Sequence, residues 1–363
     1  MVKLIVLRNS LEVTVLEMVS LLKKLTSPMG VSGCEKEAAE VCLELAKGLC
    51  DEAYINNRGS VVGKLLGKGP TILLDAHLDQ VGLIVTGIED NGFLKVDKCG
   101  GIDERILAAQ PVEIYGKEKV MGVISSIPPH LAKKEDAGKA KPASEMCIDT
   151  GLSKEDCERL ISLGDRVRIV HPFEKLLGNE VLSGALDDRS GIAILLRTLE
   201  ILKNQRDEKN NKNVPTVIVT FSVCEEVGGK GAATAAYPLE KIDSAIAVDV
   251  SFDRTPGCEP QDAGEIGKGP MIGHSPVLDR DISKKLEEIA RDMKIPYQLE
   301  IMASRTGTHG DELAILKSGV KTGIVSIPLK HMHTPIEIIN LEDIENSAKL
   351  ISEFCLRGGA DHE

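Results

Sequence analysis

Several short segments place acidic residues and histidines where an apolar run ends, as at the end of a buried strand. These segments supply five side chains that bind metals well, namely His77, Asp187, Glu226, Asp249 and His333. Two imidazoles and three carboxylates suffice for two divalent ions, each with one histidine and one carboxylate, that share the third carboxylate. Two ions about 4 Å apart can activate water and polarise a carbonyl, so this set indicates hydrolysis of an amide bond.

Each candidate also has a purely structural explanation. In "DAHLDQVG", the side chains of His77 and Asp79 share one face of a strand, so the carboxylate can orient the imidazole, but such pairs are common. Asp187 stands at the entrance of a helix, where it or the adjacent Asp188 can cap the helix instead of binding a ligand. A buried salt bridge would equally offset the desolvation of Asp249.

The remaining candidates have close competitors in the sequence. His333 lies in "SIPLKHMHTPIEII", and His331, two residues earlier, would point the same way in an extended segment. Glu225 and Glu226 lie in "SVCEEVGGKG", between an apolar run and a glycine-rich turn. Neighbouring residues of a strand face opposite sides, so these two carboxylates can have different roles, although a solvated acidic pair is the simpler explanation.

Apolar and amphipathic segments alternate along the chain and predict the elements that position these residues. Buried strands that end in polar residues are predicted over 70–79, 214–226 and 244–253. Helices are predicted over 35–50, 190–204, 282–293 and 341–357. We therefore predict an α/β fold in which helices cover a mixed sheet and a ligand binds at the carboxyl ends of its strands.

The pattern changes over 82–167, where short alternating runs such as "GFLKV" and "VMGVISSI" are separated by turn residues. This pattern predicts a small β domain inserted into the α/β chain. The segments 1–81 and 168–363 would then form the two parts of one catalytic domain. Two polar stretches, 130–145 and 203–213, are predicted to be loops.

The composition excludes several classes of partner. The net charge is −12 without a cluster of Lys and Arg, which argues against nucleic acid, and the absence of Trp argues against carbohydrate. No stretch approaches the roughly 18 apolar residues of a membrane span. The nine cysteines contain no C-x-x-C pair and suit thiols in a reducing compartment, so we expect a cytoplasmic protein.

Five segments resemble, in order, the signature segments of the M42 family of dinuclear metallo-aminopeptidases, a group that includes glutamyl and tetrahedral (TET) aminopeptidases. They are "HLDQVG", "ALDDRSG", "CEEVGGKGA", "AVDVSFD" and "IPLKHMHTPIE". The resemblance implies a zinc-peptidase catalytic domain with an inserted, PDZ-like β-barrel for dimerisation. It further implies release of N-terminal residues from short peptides, and dimers that assemble into a tetrahedral dodecamer.

The resemblance also implies two divalent ions per subunit, Zn²⁺ or Co²⁺, and a distribution of their ligands. One ion would be bound by His77 and Asp249, and the other by Glu226 and His333. Asp187 would bridge the two ions.

Two further residues receive catalytic roles from the resemblance. Asp79 would orient His77, and Glu225 would be the general base that passes a proton from water to the leaving amine. The sequence departs from the family at Gln80, where a Glu is usual, and in "RTGTHGDELAI", which lacks the usual Gly-Thr-Asp pattern. We expect His309 in that segment to be a polar residue at a helix entry and not a substrate contact.

Two other functions fit parts of the sequence. A metal-dependent deacylase on a related catalytic domain would usually carry a differently built lid, whereas "GGID" and "IPPHL" in the insertion favour the aminopeptidases. A catalytically silent assembly protein would have lost metal ligands, and none of the five is missing. The sequence specifies neither the preferred N-terminal residue of the substrate nor the identity of the metal.

Overall fold

A computed structural model describes residues 16–126, 130–131, 139–207, 214–261 and 263–360. Residues 132–138 of the predicted loop at 130–145 therefore lie outside the described residues, and the last part of that loop contains a short 3₁₀ turn at Ala143–Glu145. Most of the predicted loop at 203–213 is also outside them, and its first residues belong to a helix that ends at Asp207.

The helices of the described chain include all four predicted from the sequence. In chain order they are α1 (16–26), α2 (Lys36–Leu49), α3 (Lys154–Leu160), α4 (Leu186–Asp207), α5 (Lys230–Ala236), α6 (Arg280–Met293), α7 (Gly310–Ala314) and α8 (Leu341–Leu356). The predictions at 35–50, 190–204, 282–293 and 341–357 are confirmed as α2, α4, α6 and α8. Among the described residues, no helix has the length and apolar character needed to cross a membrane.

The strands divide between a large sheet, a small sheet and a barrel. In chain order they are β1 (Glu52–Ile55), β2 (Val61–Leu65), β3 (Thr71–His77), β4 (Gly82–Ile88), β5 (Leu94–Cys99), β6 (Pro111–Tyr115), β7 (Lys119–Ile124), β8 (Cys147–Asp149), β9 (Arg166–Ile169), β10 (Phe173–Lys175), β11 (Glu180–Ser183), β12 (Thr216–Ser222), β13 (Ser244–Phe252), β14 (Met271–His274), β15 (Gln298–Ile301), β16 (Thr322–Leu329) and β17 (Glu337–Asn340). The small sheet has the order β10-β11-β17.

The large sheet is mixed and has the order β1-β2-β12-β3-β13-β16-β14-β15. The three predicted strands are its neighbouring central strands β12, β3 and β13, and they run parallel to one another. Their apolar side chains pack against α4 and α8 in the main core, as expected for strands buried on both faces. Because parallel strands end at the same edge, the polar residues that follow β3, β12 and β13 come close together.

The strand predicted over 214–226 is too long, because β12 ends at Ser222. Cys224 has a positive φ of 60°, so the chain leaves the sheet there and turns before α5 begins at Lys230. Glu225 and Glu226 consequently lie in the turn and not on the strand. The alternation of a strand therefore does not explain how these two carboxylates come to face different groups.

The predicted inserted β-barrel is confirmed as a closed barrel of strands in the order β4-β5-β8-β7-β6-β9. Its inward side chains form a separate apolar core that includes Leu83, Val112 and Ile148. The connection between β5 and β6 carries Gly101, which reaches the candidate site described below. The division of the chain after residues 81 and 167 stays a prediction.

Candidate active site

The five predicted metal ligands lie together at the carboxyl ends of the central strands. His77 Nε2 is 2.9 Å from Asp187 Oδ1 and 3.8 Å from Asp249 Oδ1. On the other side, His333 Nε2 is 3.4 Å from Asp187 Oδ2 and 3.3 Å from Glu226 Oε2. Asp187 thus lies between two imidazoles, each of which has one further carboxylate beside it. This grouping is the one that the resemblance implies, whereas the metal-binding roles themselves stay a prediction.

The two adjacent aspartates at the start of α4 make different contacts. Asp188 Oδ1 accepts a hydrogen bond of 2.9 Å from the backbone N–H of Gly191, which is the contact of a helix cap. Asp188 Oδ2 accepts a bond of 3.2 Å from the backbone N–H of His77. Asp188 is therefore the cap, and the side chain of Asp187 is left to face the imidazoles.

Both imidazoles are oriented by main-chain carbonyls. His77 Nδ1 lies 3.1 Å from the carbonyl oxygen of Asp79, and His333 Nδ1 lies 3.0 Å from that of Gly101. A carbonyl only accepts, so Nδ1 carries a proton in both rings. A hydrogen bond from Nε2 to the carboxylate of Asp187 needs a second proton on the ring, whereas a bound cation would take the Nε2 lone pair instead. Metal-binding histidines likewise donate through their other ring nitrogen.

The carboxylate of Asp79 acts differently from the prediction. Its oxygens accept the backbone N–H groups of Glu225 at 2.9 Å and of Glu226 at 3.2 Å, and the hydroxyl of Ser32 at 2.6 Å. Its distance of 3.7 Å to His77 Nδ1 is too long for a hydrogen bond. The main chain of Asp79 therefore orients His77, and its side chain fixes the turn that carries the two glutamates.

The charges of the site are unbalanced because more carboxylates than cations are buried together. Burial raises the pKa of Glu226 and of Asp249 well above the ordinary value, and the charge of Asp187 adds to the shift. Burial opposes protonation of His77, but Asp187 outweighs it and raises the pKa of that imidazole. Hydrogen bonds from His333 and His77 lower the pKa of Asp187 against the effect of its burial. Divalent cations would stabilise such a cluster, so the donor set fits them.

The described chain contains two overlapping groups of three residues that could bind a metal ion. Within each group, the potential ligand atoms all lie within 4.8 Å of one another. One consists of His77, Asp187 and Glu226, and the other of His77, Asp188 and Asp249. Because both oxygens of Asp188 already accept backbone N–H groups, Asp187 is the better candidate for a shared ligand. His331, the competitor of His333, is exposed and lines a different surface cavity.

Glu337 is a buried residue of the site for which the sequence suggested no role. One of its oxygens accepts the backbone N–H groups of Leu186 at 2.8 Å and of Asp187 at 3.2 Å. The other accepts the backbone N–H of His333 at 3.0 Å. Glu337 thus ties together the two segments that carry Asp187 and His333. The only signal in the sequence was an acidic residue four positions after His333.

His309 is at a helix entry, as expected, because it is the N-cap residue of α7, but its side chain makes no capping hydrogen bond. Instead, its Nδ1 donates to Asp75 Oδ2 at 2.7 Å, and the hydroxyls of Thr220 and Ser222 donate to the other oxygen of Asp75. The ring of His309 lies edge-on to the ring of His77, with 6.3 Å between the ring centroids. The buried pair of His309 and Asp75 therefore packs beside the candidate ligand His77.

Gln80 lies beside the site, at the position where the family usually has Glu. It lines a small space together with Asp187, Glu226 and His333. Its side-chain Oε1 is buried and has no hydrogen-bond partner among the described residues. The main chain of Gln80 holds the segment in place through bonds to Gly30 and Ser32.

The candidate ligands open onto a cavity of about 690 Å³. Its wall includes the five predicted ligands and Glu225. A volume of this size accommodates a small organic ligand or a short peptide segment.

The sequence model of the family described as M42 glutamyl aminopeptidase matches residues 59–350. The chain belongs to the M42 family of aminopeptidases. This confirms the resemblance stated above, and the protein is a hydrolase of peptide bonds. One relative, the lysyl aminopeptidase of Pyrococcus furiosus, is 29% identical to this M42 aminopeptidase. The alignment covers 91% of this chain and 94% of the relative. Membership of this metallopeptidase family implies divalent metal ions at the site.

Solved structures of two archaeal relatives have the same fold. Aminopeptidase APDkam598 of Desulfurococcus kamchatkensis is 34% identical, covers 93% of this chain and 94% of its own, and superposes with a TM-score of 0.85. The TET1 peptidase of Pyrococcus horikoshii, which can assemble into a tetrahedron or a large octahedral shell, is 32% identical. It covers 93% of this chain and 99% of its own, with a TM-score of 0.81. The predicted fold class is therefore confirmed.

Proposed function

We propose that this M42 aminopeptidase releases N-terminal residues from short peptides by means of two divalent ions, Zn²⁺ or Co²⁺. The ligands would be His77, Asp187, Glu226, Asp249 and His333. One observation supports this most strongly. Asp187 lies between the Nε2 atoms of two imidazoles, and each imidazole has a further carboxylate next to it. The arrangement offers two cation positions that share Asp187.

When bound, the ions would activate a water molecule and polarise the scissile carbonyl. Glu225 would accept a proton as the water attacks the carbonyl carbon, and would return it to the amine as the C–N bond breaks. Burial raises the pKa of Glu225 above its ordinary value in the metal-free protein. Asp79 would hold Glu225 in place through the backbone N–H that its carboxylate accepts.

Removal of metal provides the test of this proposal. We expect a chelator to lower the rate of peptide hydrolysis at least about 1000-fold, a barrier increase of about 4 kcal/mol. Re-addition of Zn²⁺ or Co²⁺ should restore the rate, and metal analysis of the active sample should give two ions per subunit. A sample dialysed without chelator is the control. Chelator-resistant activity would exclude the metal mechanism.

We also propose that the subunits dimerise through the barrel and that the dimers form a tetrahedral dodecamer in the cytoplasm. Met121 and Val123 support the dimer, because both are exposed apolar residues on β7 of the barrel. The assembly of the P. horikoshii relative supports the larger shell. All nine cysteines are free thiols, as is typical of a reducing compartment. Sedimentation in solution would measure the mass, and a monomer would contradict the assembly.

A further inference from the structure

A partly buried carboxylate, that of Glu300, lines the same cavity as the candidate ligands and has no part in the chemistry proposed above. It lies on β15, and its two oxygens accept the hydroxyls of Ser251 and of Ser326, the latter at 2.8 Å. Burial raises the pKa of Glu300, the two hydroxyls oppose that shift, and no neighbouring charge contributes to it. This carboxylate thus lies against two neutral partners, without a compensating cation in the described chain.

A partly desolvated carboxylate of this kind is stabilised when a cation binds to it. No Lys or Arg is present in the cavity wall formed by the described residues, so the chain itself supplies none there. Because Glu300 faces the cavity, a ligand in that cavity can supply the positive charge. A ligand with a negative side chain would instead meet Glu300 and the acidic residues of the metal site.

The cavity that Glu300 lines also offers apolar surface, which suits a cationic group on an apolar stem. Phe252, Met271 and Met302 provide apolar surface in the same cavity. Lysine and arginine side chains have an apolar stem and a charged end, so the stem can pack on that surface while the charge meets Glu300. Glu300 is not one of the candidate metal ligands, and it lines the cavity that these ligands share.

We propose that Glu300 binds the cationic side chain of the substrate's N-terminal residue, and that the enzyme therefore prefers peptides beginning with lysine or arginine. This inference rests on the proposed aminopeptidase function and adds its specificity. Glu300 would act as a specificity residue, since it would contact the substrate away from the bond that is cleaved.

The test compares three tripeptides that differ only in the first residue: lysine, norleucine, which has the lysine stem without the ammonium, and glutamate. We expect the metal-loaded wild-type enzyme to give the highest kcat/KM with lysine and the lowest with glutamate. Glu300→Gln keeps the size of the side chain and removes its charge. It should lower the lysine-to-norleucine ratio of kcat/KM by about 10- to 100-fold, the usual value of a hydrogen bond to a charged group.

Glu345→Gln is the matched control, because Glu345 is a partly buried glutamate that pairs with Arg197 outside the cavity. It should leave the lysine-to-norleucine ratio at the wild-type value. A wild-type enzyme that cleaves norleucyl peptide as well as lysyl peptide would overturn the inference without any variant. Equal losses on both peptides in Glu300→Gln would also overturn it, because they would assign Glu300 to the shared α-ammonium group. Failure to cleave any of the three peptides would instead overturn the proposed function itself.

Discussion

Glu225→Gln is expected to reduce peptide hydrolysis by about 10²- to 10⁴-fold, the usual contribution of a general base, while the protein keeps both metal ions. Gln has nearly the same shape, and the backbone bond from residue 225 to Asp79 does not depend on the side chain. What the variant lacks is the carboxylate that accepts the proton. The measurement is kcat on one peptide, together with metal analysis of the same sample.

The neighbouring residue provides the control for this experiment. Glu226 Oε2 lies 3.3 Å from His333 Nε2, so Glu226→Gln should weaken one metal position and lower the metal content. The two variants change adjacent residues of one turn in the same way, and they differ only in the group that each side chain faces. Equal loss of metal from both variants would show that the proposed division of roles is wrong.

Asp187→Asn is expected to weaken metal binding at both positions and to abolish measurable hydrolysis. Asp187 is the one candidate ligand that lies beside both His77 Nε2 and His333 Nε2. The loss of affinity should exceed the roughly 10- to 100-fold typical of residues that only orient a ligand. Calorimetric titration of the chelated protein with Zn²⁺ would measure it.

Asp279→Asn is the matched control, since Asp279 is also an aspartate at the start of a helix. Its Oδ1 accepts the N–H groups of Asp281 and Ile282 at the beginning of α6, and an asparagine makes the same cap. Its zinc titration should equal that of the wild type. If Asp187→Asn retained two ions of wild-type affinity, the shared-ligand assignment would be excluded.

The main helices and the central strands of this fold follow from local sequence patterns. In α6, Ile282, Leu286 and Ile289 recur at helical spacing and are buried, and Asp279 caps the first turn. Continuous apolar runs likewise predicted β3, β12 and β13. The end of β12 was misplaced because the apolar run continues through Val223 and Cys224, and a left-handed residue breaks the strand there. The half-exposed strand β15 has no apolar run to reveal it.

The candidate site was predictable in its residue types and less so in its contacts. Ordered segments pointed to the five candidate ligands, which do lie together. The hydrogen bonds that hold these residues in place join partners far apart in sequence. His309 and Asp75 are 234 positions apart, and Leu186 and Glu337 are 151 positions apart. No local pattern reports such pairs. The same holds for Asp79, whose carboxylate meets residues 146 and 147 positions later and not the histidine two positions before it.

Cleavage of a free peptide and of its N-acetylated form by the metal-loaded enzyme tests the central claim most directly. We predict that the free peptide loses its first residue and then the following ones in turn, as followed by mass spectrometry. The acetylated peptide should remain intact under the same conditions. Equal cleavage of the two peptides would contradict the proposal that this enzyme acts at the free amino end of its substrates.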